Sequence, residues 1–176
     1  MKNLFAAFML IFLLSACADE CKDVVCNNGG ICVNGLCDCP DGFEGPSCDQ
    51  ETTPQSVRVG SISLTSVPPD NNGSNWDLFD GPDVYYQITK DGDVIAESEV
   101  REDSFTAEWN APISFNDPAE VYEIRVLDDD GVSNPEFVGG ISFVPYRSNA
   151  GFPDTYELTC DDCTITLVFN NVDYSF

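Results

Sequence analysis

At 176 residues the chain has room for one medium domain or two small ones. It carries 31 acidic against 7 basic residues, a formal net charge of -24; such a field repels nucleic acid and anionic lipid surfaces at long range. Histidine is absent, which removes Ser-His-Asp and Cys-His nucleophile pairs, His-ligated zinc and the commonest general base. Hydrolysis by paired carboxylates stays formally open, but acids in surface turns are usually solvated faces, and the chain is read as a non-enzyme.

Residues 1–16 hold Lys2 and then an apolar run from Leu4 to Leu14. The run is too short to cross a bilayer as a stable helix and has the form of a secretory h-region. It ends Leu14-Ser15-Ala16-Cys17, which resembles the lipobox of bacterial lipoproteins. That resemblance implies cleavage before Cys17, acylation of Cys17 and durable anchoring, each buried CH₂ contributing about 0.8 kcal/mol. The other reading is ordinary signal cleavage after Ala16. Asp19 and Glu20 follow at once, and acids there resemble a surface-export signal. The implied location is the outer membrane, lipid-anchored and surface-exposed, with residues 17–20 as the lipidated start.

Residues 21–48 contain cysteines at 21, 26, 32, 37, 39 and 48 and almost no apolar mass. Cross-links, not a core, must stabilise such a segment, and spacing alone allows 15 pairings. Asn28-Gly29-Gly30 precedes the third cysteine, and Cys39-Pro40-Asp41-Gly42-Phe43-Glu44-Gly45-Pro46-Ser47-Cys48 closes the segment. Both features resemble an EGF-like domain, whose connectivity implies Cys21–Cys32, Cys26–Cys37 and Cys39–Cys48. The calcium-binding variety is not expected, because Cys17 occupies its first ligand position and Cys32 to Cys37 leaves no room for its Asn/Asp-aromatic motif. The module reads as spacer, stalk or contact surface. A polar, Pro-containing linker follows at 49–56.

From 57 to 176 the pattern is short strands with turn chemistry between them. Val57, Val59, Ile62, Leu64 and Val67 form a strand with an irregularity near Gly60-Ser61. Further strands are predicted at 84–90, 94–100, 104–109, 120–127, 137–144, 155–160 and 163–169, with Lys90-Asp91-Gly92-Asp93 as a hairpin turn. No stretch has a helical period with caps. About eight strands imply an all-β fold, an antiparallel sandwich, with most of the twelve Phe residues expected in its core.

Two loops are acidic. Trp76-Asp77-Leu78-Phe79-Asp80-Gly81-Pro82-Asp83 precedes the strand Val84-Tyr85-Tyr86, and Asp128-Asp129-Asp130 ends the strand that begins at Tyr122. Three consecutive carboxylates repel one another and need a cation or open water, and calcium takes about 6–8 oxygens. The spacing of Asp77 and Asp83, and the register of Val126, Asp128, Asp130, Glu136, Phe137, Val138 and Gly139, resemble the first and third loops of the C2 domain, a calcium-binding sandwich. Glu108-Trp109-Asn110-Ala111-Pro112 echoes a strand of that family. The sequence departs from it at Val84, where Pro is usual, and at Glu136, where Asp is usual. The resemblance implies an eight-stranded C2-like β-sandwich, in the circularly permuted topology. It also implies calcium held by Asp77, Asp83, Asp128, Asp130 and Glu136, with a loop carbonyl such as that of Asp129 and water completing the shell. Leu78, Phe79 and Val132 stand near the loop tips; for Phe79 and Trp76 loop packing is the preferred role.

Cys160-Asp161-Asp162-Cys163 lies between two β-patterned runs. A redox pair wants a helix N-terminus, and zinc wants a second pair. Two cysteines flanking a two-residue turn lie within disulfide range across the hairpin, so Cys160–Cys163 is expected as a fourth disulfide.

The function expected from these readings is a membrane-anchored cell-surface lipoprotein, a calcium-binding adhesion or binding module. Its partner would be a protein or glycan, with no nucleic acid and with anionic lipid headgroups disfavoured. The alternative is a structural spacer or assembly subunit without calcium.

Overall fold

The computed structural model describes residues 19–71, 73–76, 81–110, 112–131, 134–158 and 165–176. Cys17, Asp77, Leu78, Phe79, Val132, Cys160 and Cys163 lie outside them. The chain divides into two compact units between Gln50 and Glu51.

In the first unit, β1 (Ile31–Val33) and β2 (Leu36–Asp38) form an antiparallel hairpin in which Cys32 stands opposite Cys37. Its turn, Asn34-Gly35, has positive φ at both positions, the geometry whose twist matches paired strands. β3 (Phe43–Glu44) pairs with β4 (Gln50–Glu51). The disulfides are Cys21–Cys32, Cys26–Cys37 and Cys39–Cys48, with Cα–Cα distances of 5.8, 5.6 and 5.4 Å. A Cβ on Gly30 would lie 2.6 Å from the Cys48 sulfur, so the glycine before Ile31 is where the third disulfide passes. Val25, Ile31, Val33 and Leu36 are exposed. The unit buries little apolar surface, and its cross-links limit the unfolded chain instead.

The second unit is a sandwich of nine strands among the described residues: β5 (Ser56–Ser66), β6 (Val84–Lys90), β7 (Asp93–Glu97), β8 (Ala107–Trp109), β9 (Ile113–Phe115), β10 (Tyr122–Asp128), β11 (Glu136–Phe143), β12 (Thr155–Leu158) and β13 (Thr166–Ser175). One sheet runs β11-β10-β6-β7; the other runs β12-β13-β5, with both β8 and β9 on the far edge of β5. All pairings are antiparallel. The architecture is the expected all-β sandwich. The added strand, Ile113–Phe115, is too short for a period-two signal, and it becomes a strand only because β5 is long enough to hold two partners end to end. β13 also extends six residues beyond the predicted 163–169, through Asn170-Asn171, which reads as turn chemistry in isolation.

Those two asparagines face the predicted irregularity. Val57 and Val59 point inward, then Ile62 and Leu64, so β5 changes face at Gly60-Ser61; opposite it, Leu167 and Phe169 give way to Val172. The two strands stay in step across the change. Asn171 takes φ of 52°, and a Cβ on Gly60 would lie 2.9 Å from the Asn171 Cβ. Both strands therefore kink together, and the absent side chain at residue 60 makes space for it.

The core joins Val57, Ile62, Leu64, Trp109, Ile124, Val126, Leu167 and Phe169 with their neighbours. Phe115 lies 4.9 Å from Tyr122 and 5.5 Å from Phe143, edge-on to each, and is stacked with Phe169 at 6.3 Å. The expectation that most phenylalanines belong to the core is corrected. Among the described ones only Phe115, Phe143 and Phe169 are fully buried, while Phe105, Phe137 and Phe176 are exposed. The β-branched alternation fills most of the interior; Phe105 and Phe176 lie outside the strands, and Phe137 stands at an exposed position of β11. Trp76 is buried, its Nε1 donating to the Pro68 carbonyl at 2.9 Å, so it packs the loop. The stretch expected as a linker is held as well: Pro54 is buried and the Gln55 N–H donates to the Ser175 carbonyl at 2.7 Å.

Two measurements check this packing. Phe115→Ala should cost about 3–5 kcal/mol in urea unfolding of the sandwich, whereas Val121→Ala, at 60% exposure, should stay within about 0.5 kcal/mol; equal costs would contradict the core. Burial, with Asp154 adding, pushes the Tyr174 phenol up to about 12, and burial pushes Tyr156 higher still. A phenol kept neutral in the fold favours folding fully below its unfolded value near 10 and loses that contribution as pH rises through its folded value. Stability should therefore fall between pH 10 and about 12, with Tyr156 among the last phenols to ionise in an ultraviolet titration.

Candidate functional site

The acidic end of the sandwich is built at the last rung of β10. Asp128 stands opposite Val84 of β6 on one side and Glu136 of β11 on the other. Its side chain has no exposure, and its Oδ1 accepts the Asp83 backbone N–H at 2.6 Å. The Asp129 N–H donates to the Asp83 carbonyl at 3.0 Å. Two segments about 45 residues apart in the chain are thus zipped together just past their strand ends. Farther back along the first loop, Asn71 Nδ2 donates to Glu136 Oε2, at the start of β11, at 2.7 Å.

A third segment, which the sequence reading did not include, completes this edge. Val84 and Arg101 exchange backbone hydrogen bonds of 2.9 and 2.8 Å, and the Ser104 N–H donates to the Pro82 carbonyl at 2.8 Å. The Asp103 N–H donates to Asp83 Oδ1 at 2.9 Å. An open cleft of 420 Å³ results, lined by Asp83, Val100, Glu102, Asp129, Asp130 and Gly131. The sequence signal for Glu102 and Asp103 was weak, two acids after a short edge strand, and only their pairing with Val84 brings them here.

The field of this edge is negative. Tyr85 has its phenol raised by burial first, then by the charges of Glu97 and Asp129. Of the residues predicted as calcium ligands, Asp83, Asp128, Asp130 and Glu136 fall on two loops joined at one edge. Asp77 lies outside the described residues. As hard oxygen donors they suit calcium in kind. In number they do not suffice alone: among the described residues no three acidic or sulfur side chains are grouped so as to hold a metal ion. Asp83, Asp128 and Glu136 each already use one oxygen to accept an N–H from the neighbouring loop, and the Asp129 side chain accepts the Gly131 N–H at 3.0 Å.

Comparison with known proteins separates the two units. The EGF-like domain family matches residues 17–48. The chain is similar to EGF-like repeat and discoidin I-like domain-containing protein 3 of Mus musculus, 42% identical over 91 residues, covering 44% of this chain and 19% of that protein. It is also similar to coagulation factor XII of Cavia porcellus, 48% identical over 54 residues, covering 28% of this chain and 9% of that one. The chain thus spans less than a fifth of either relative. In fold it is similar to a solved structure of extended synaptotagmin 2 comprising an SMP domain and a pair of C2 domains, with a TM-score of 0.50, 15% identity, and coverage of 69% of this chain and 27% of that one. An EGF-like module with three disulfides and a C2-like sandwich therefore follow one another, an arrangement that suits a binding or adhesion module.

Removing the Asp128 carboxylate leaves the part-buried Asp83 N–H without its acceptor. Asp128→Ala should destabilise the sandwich by about 1–3 kcal/mol, and Asp128→Asn, which keeps an acceptor oxygen, by less. Urea unfolding of both variants checks this; an alanine variant as stable as the parent would remove Asp128 from the role of fastening the loops.

Proposed function

We propose that the chain is a cell-surface binding or adhesion protein, anchored through acylated Cys17, whose C2-like sandwich presents a calcium-bearing acidic edge to a protein or glycan partner. The observation that carries the reading is the joining of the Asp83 and Asp128 loops, which pools carboxylates from distant segments beside one open cleft. Calcium would be held by Asp83, Asp128, Asp130 and Glu136 together with Asp77, and would offset the mutual repulsion of this edge. The EGF-like module acts as spacer or contact surface between anchor and sandwich. Location at the outer membrane, facing outward, rests on the residues around Cys17. The net charge argues against nucleic acid and disfavours anionic lipid headgroups. No catalytic role is proposed, since the chain has no histidine and its strand-end acids serve backbone donors.

A second reading has a specific observation in its favour. Asp83, Asp128 and Glu136 each accept a hydrogen bond that fastens loop to loop, which is what a metal-free spacer or assembly subunit needs of them.

Calcium titration of the chain separates the two. A site of about 10⁻⁴–10⁻³ M affinity in roughly ten-millimolar calcium should add on the order of 1–3 kcal/mol, seen as a raised melting temperature that Asp130→Asn abolishes. No heat and no shift in melting temperature would leave the spacer reading. For the anchor, Cys17→Ser should abolish incorporation of labelled fatty acid and release the chain from the membrane fraction; labelling that survives the substitution would refute it.

A further inference from the structure

The β1–β2 hairpin of the EGF-like module has two unlike faces. Cys32 stands opposite Cys37, Val33 opposite Leu36 and Ile31 opposite Asp38. Side chains alternate along a strand, so the two cysteines turn to one face and Ile31, Val33, Leu36 and Asp38 to the other. The cysteine face is covered, because its disulfides bind it to Cys21 and Cys26. The other face is open to solvent: Ile31 is 62% exposed, Val33 46% and Leu36 74%.

Three exposed aliphatic side chains are ordinary surface on a protein free in water. What gives these an occupant is where the chain enters the module. A Cβ on Gly35 would lie 3.5 Å from the Glu20 carbonyl oxygen and 3.6 Å from the Glu20 Cβ. Glu20 therefore rests against the hairpin turn, the Asn34-Gly35 pair that joins Val33 to Leu36. Asp19 is fastened beside it, its carboxylate accepting the Cys21 N–H at 3.1 Å and its carbonyl the Lys22 N–H at 3.2 Å.

From Glu20 back to Cys17 is a path of three residues, and three residues reach at most about 11 Å when fully extended. An acyl chain on Cys17 would enter the bilayer within that distance of the turn. A face tethered so close to a surface meets it as an intramolecular event, at high effective concentration. Apolar side chains then gain by settling at the boundary of headgroups and acyl chains. Acids border the patch: Asp38 shares its face, and Asp19 and Glu20 stand at the turn. They repel anionic headgroups, so the surface that fits is zwitterionic.

We infer that the face carrying Ile31, Val33 and Leu36 docks on a zwitterionic lipid surface, turn end first, so that the EGF-like module lies against the membrane instead of standing off it as a stalk. This docking depends on the acylation of Cys17 proposed above and on none of the acidic-edge residues.

The test is tryptophan quenching in the full lipidated chain on phosphatidylcholine vesicles, with and without brominated acyl chains. Trp76 and Trp109 are both buried and set the background in the parent. Val25→Trp is the control within the module. Val25 is exposed too, but it belongs to the segment behind the cysteine face, where its carbonyl oxygen lies 3.7 Å from the Cys37 sulfur. Leu36→Trp and Val33→Trp should be quenched about threefold or more as strongly as Val25→Trp. Both are changes at exposed positions, and either serves alone if the other fails to form its three disulfides. Sedimentation with the vesicles reads the anchor separately. Chains that sediment with Leu36→Trp and Val33→Trp unquenched overturn the docking and leave the anchor standing. Equal quenching at Val25 and Leu36 overturns it as well, because tethering alone then accounts for the signal. A parent chain that stays in the supernatant overturns anchor and docking together.

Discussion

The buried carboxylate of Asp128 is the constraint on which the acidic edge depends. It sits at the last rung of β10 between Val84 and Glu136 and accepts the Asp83 N–H. An acid has to be fully sequestered there because the chain on either side has left its sheet, and a loose backbone donor at that depth would otherwise have no acceptor. The Asp103 N–H repeats the device on the Asp83 carboxylate, the Asn71 side-chain amide does so on Glu136, and the Asp129 N–H adds a bond to the Asp83 carbonyl. An edge with this many acids stays closed because part of the negative charge is met by N–H donors of the neighbouring loops.

The two units are stabilised in different ways. The EGF-like module has three cross-links and exposes Val25, Ile31, Val33 and Leu36, so its order comes from restricting the unfolded chain. The sandwich has a packed interior in which Tyr86 meets Trp109 edge-on at 5.2 Å and Phe115 joins Tyr122, Phe143 and Phe169. One of its ends gathers carboxylates, and Glu51 fastens a separate loop by accepting the Tyr146 O–H and the Asn149 and Gly151 N–H groups.

The local features of this protein were legible in its sequence because each rests on near neighbours. Cysteine spacing and the Gly42–Gly45 ending resembled an EGF-like domain; alternation from Tyr122 to Val126 marked β10; Asp91-Gly92 marked the β6–β7 turn, where both residues take positive φ. The irregularity at Gly60-Ser61 was visible too, since a glycine interrupts an otherwise regular strand. What the sequence by itself determined was therefore the all-β class, the small cross-linked module and the acidic loops.

Tertiary structure alone decided which groups meet. That Glu102 and Asp103 join the acidic edge, and that Glu51 from an apparent linker holds residues 146–151, both follow from pairings between segments far apart in the chain. The same holds for Asn170-Asn171, turn residues drawn into β13 because β5 lies opposite. A period of two shows which side chains turn inward, but the identity of the facing strand is set by how two sheets pack, and no local pattern carries that information.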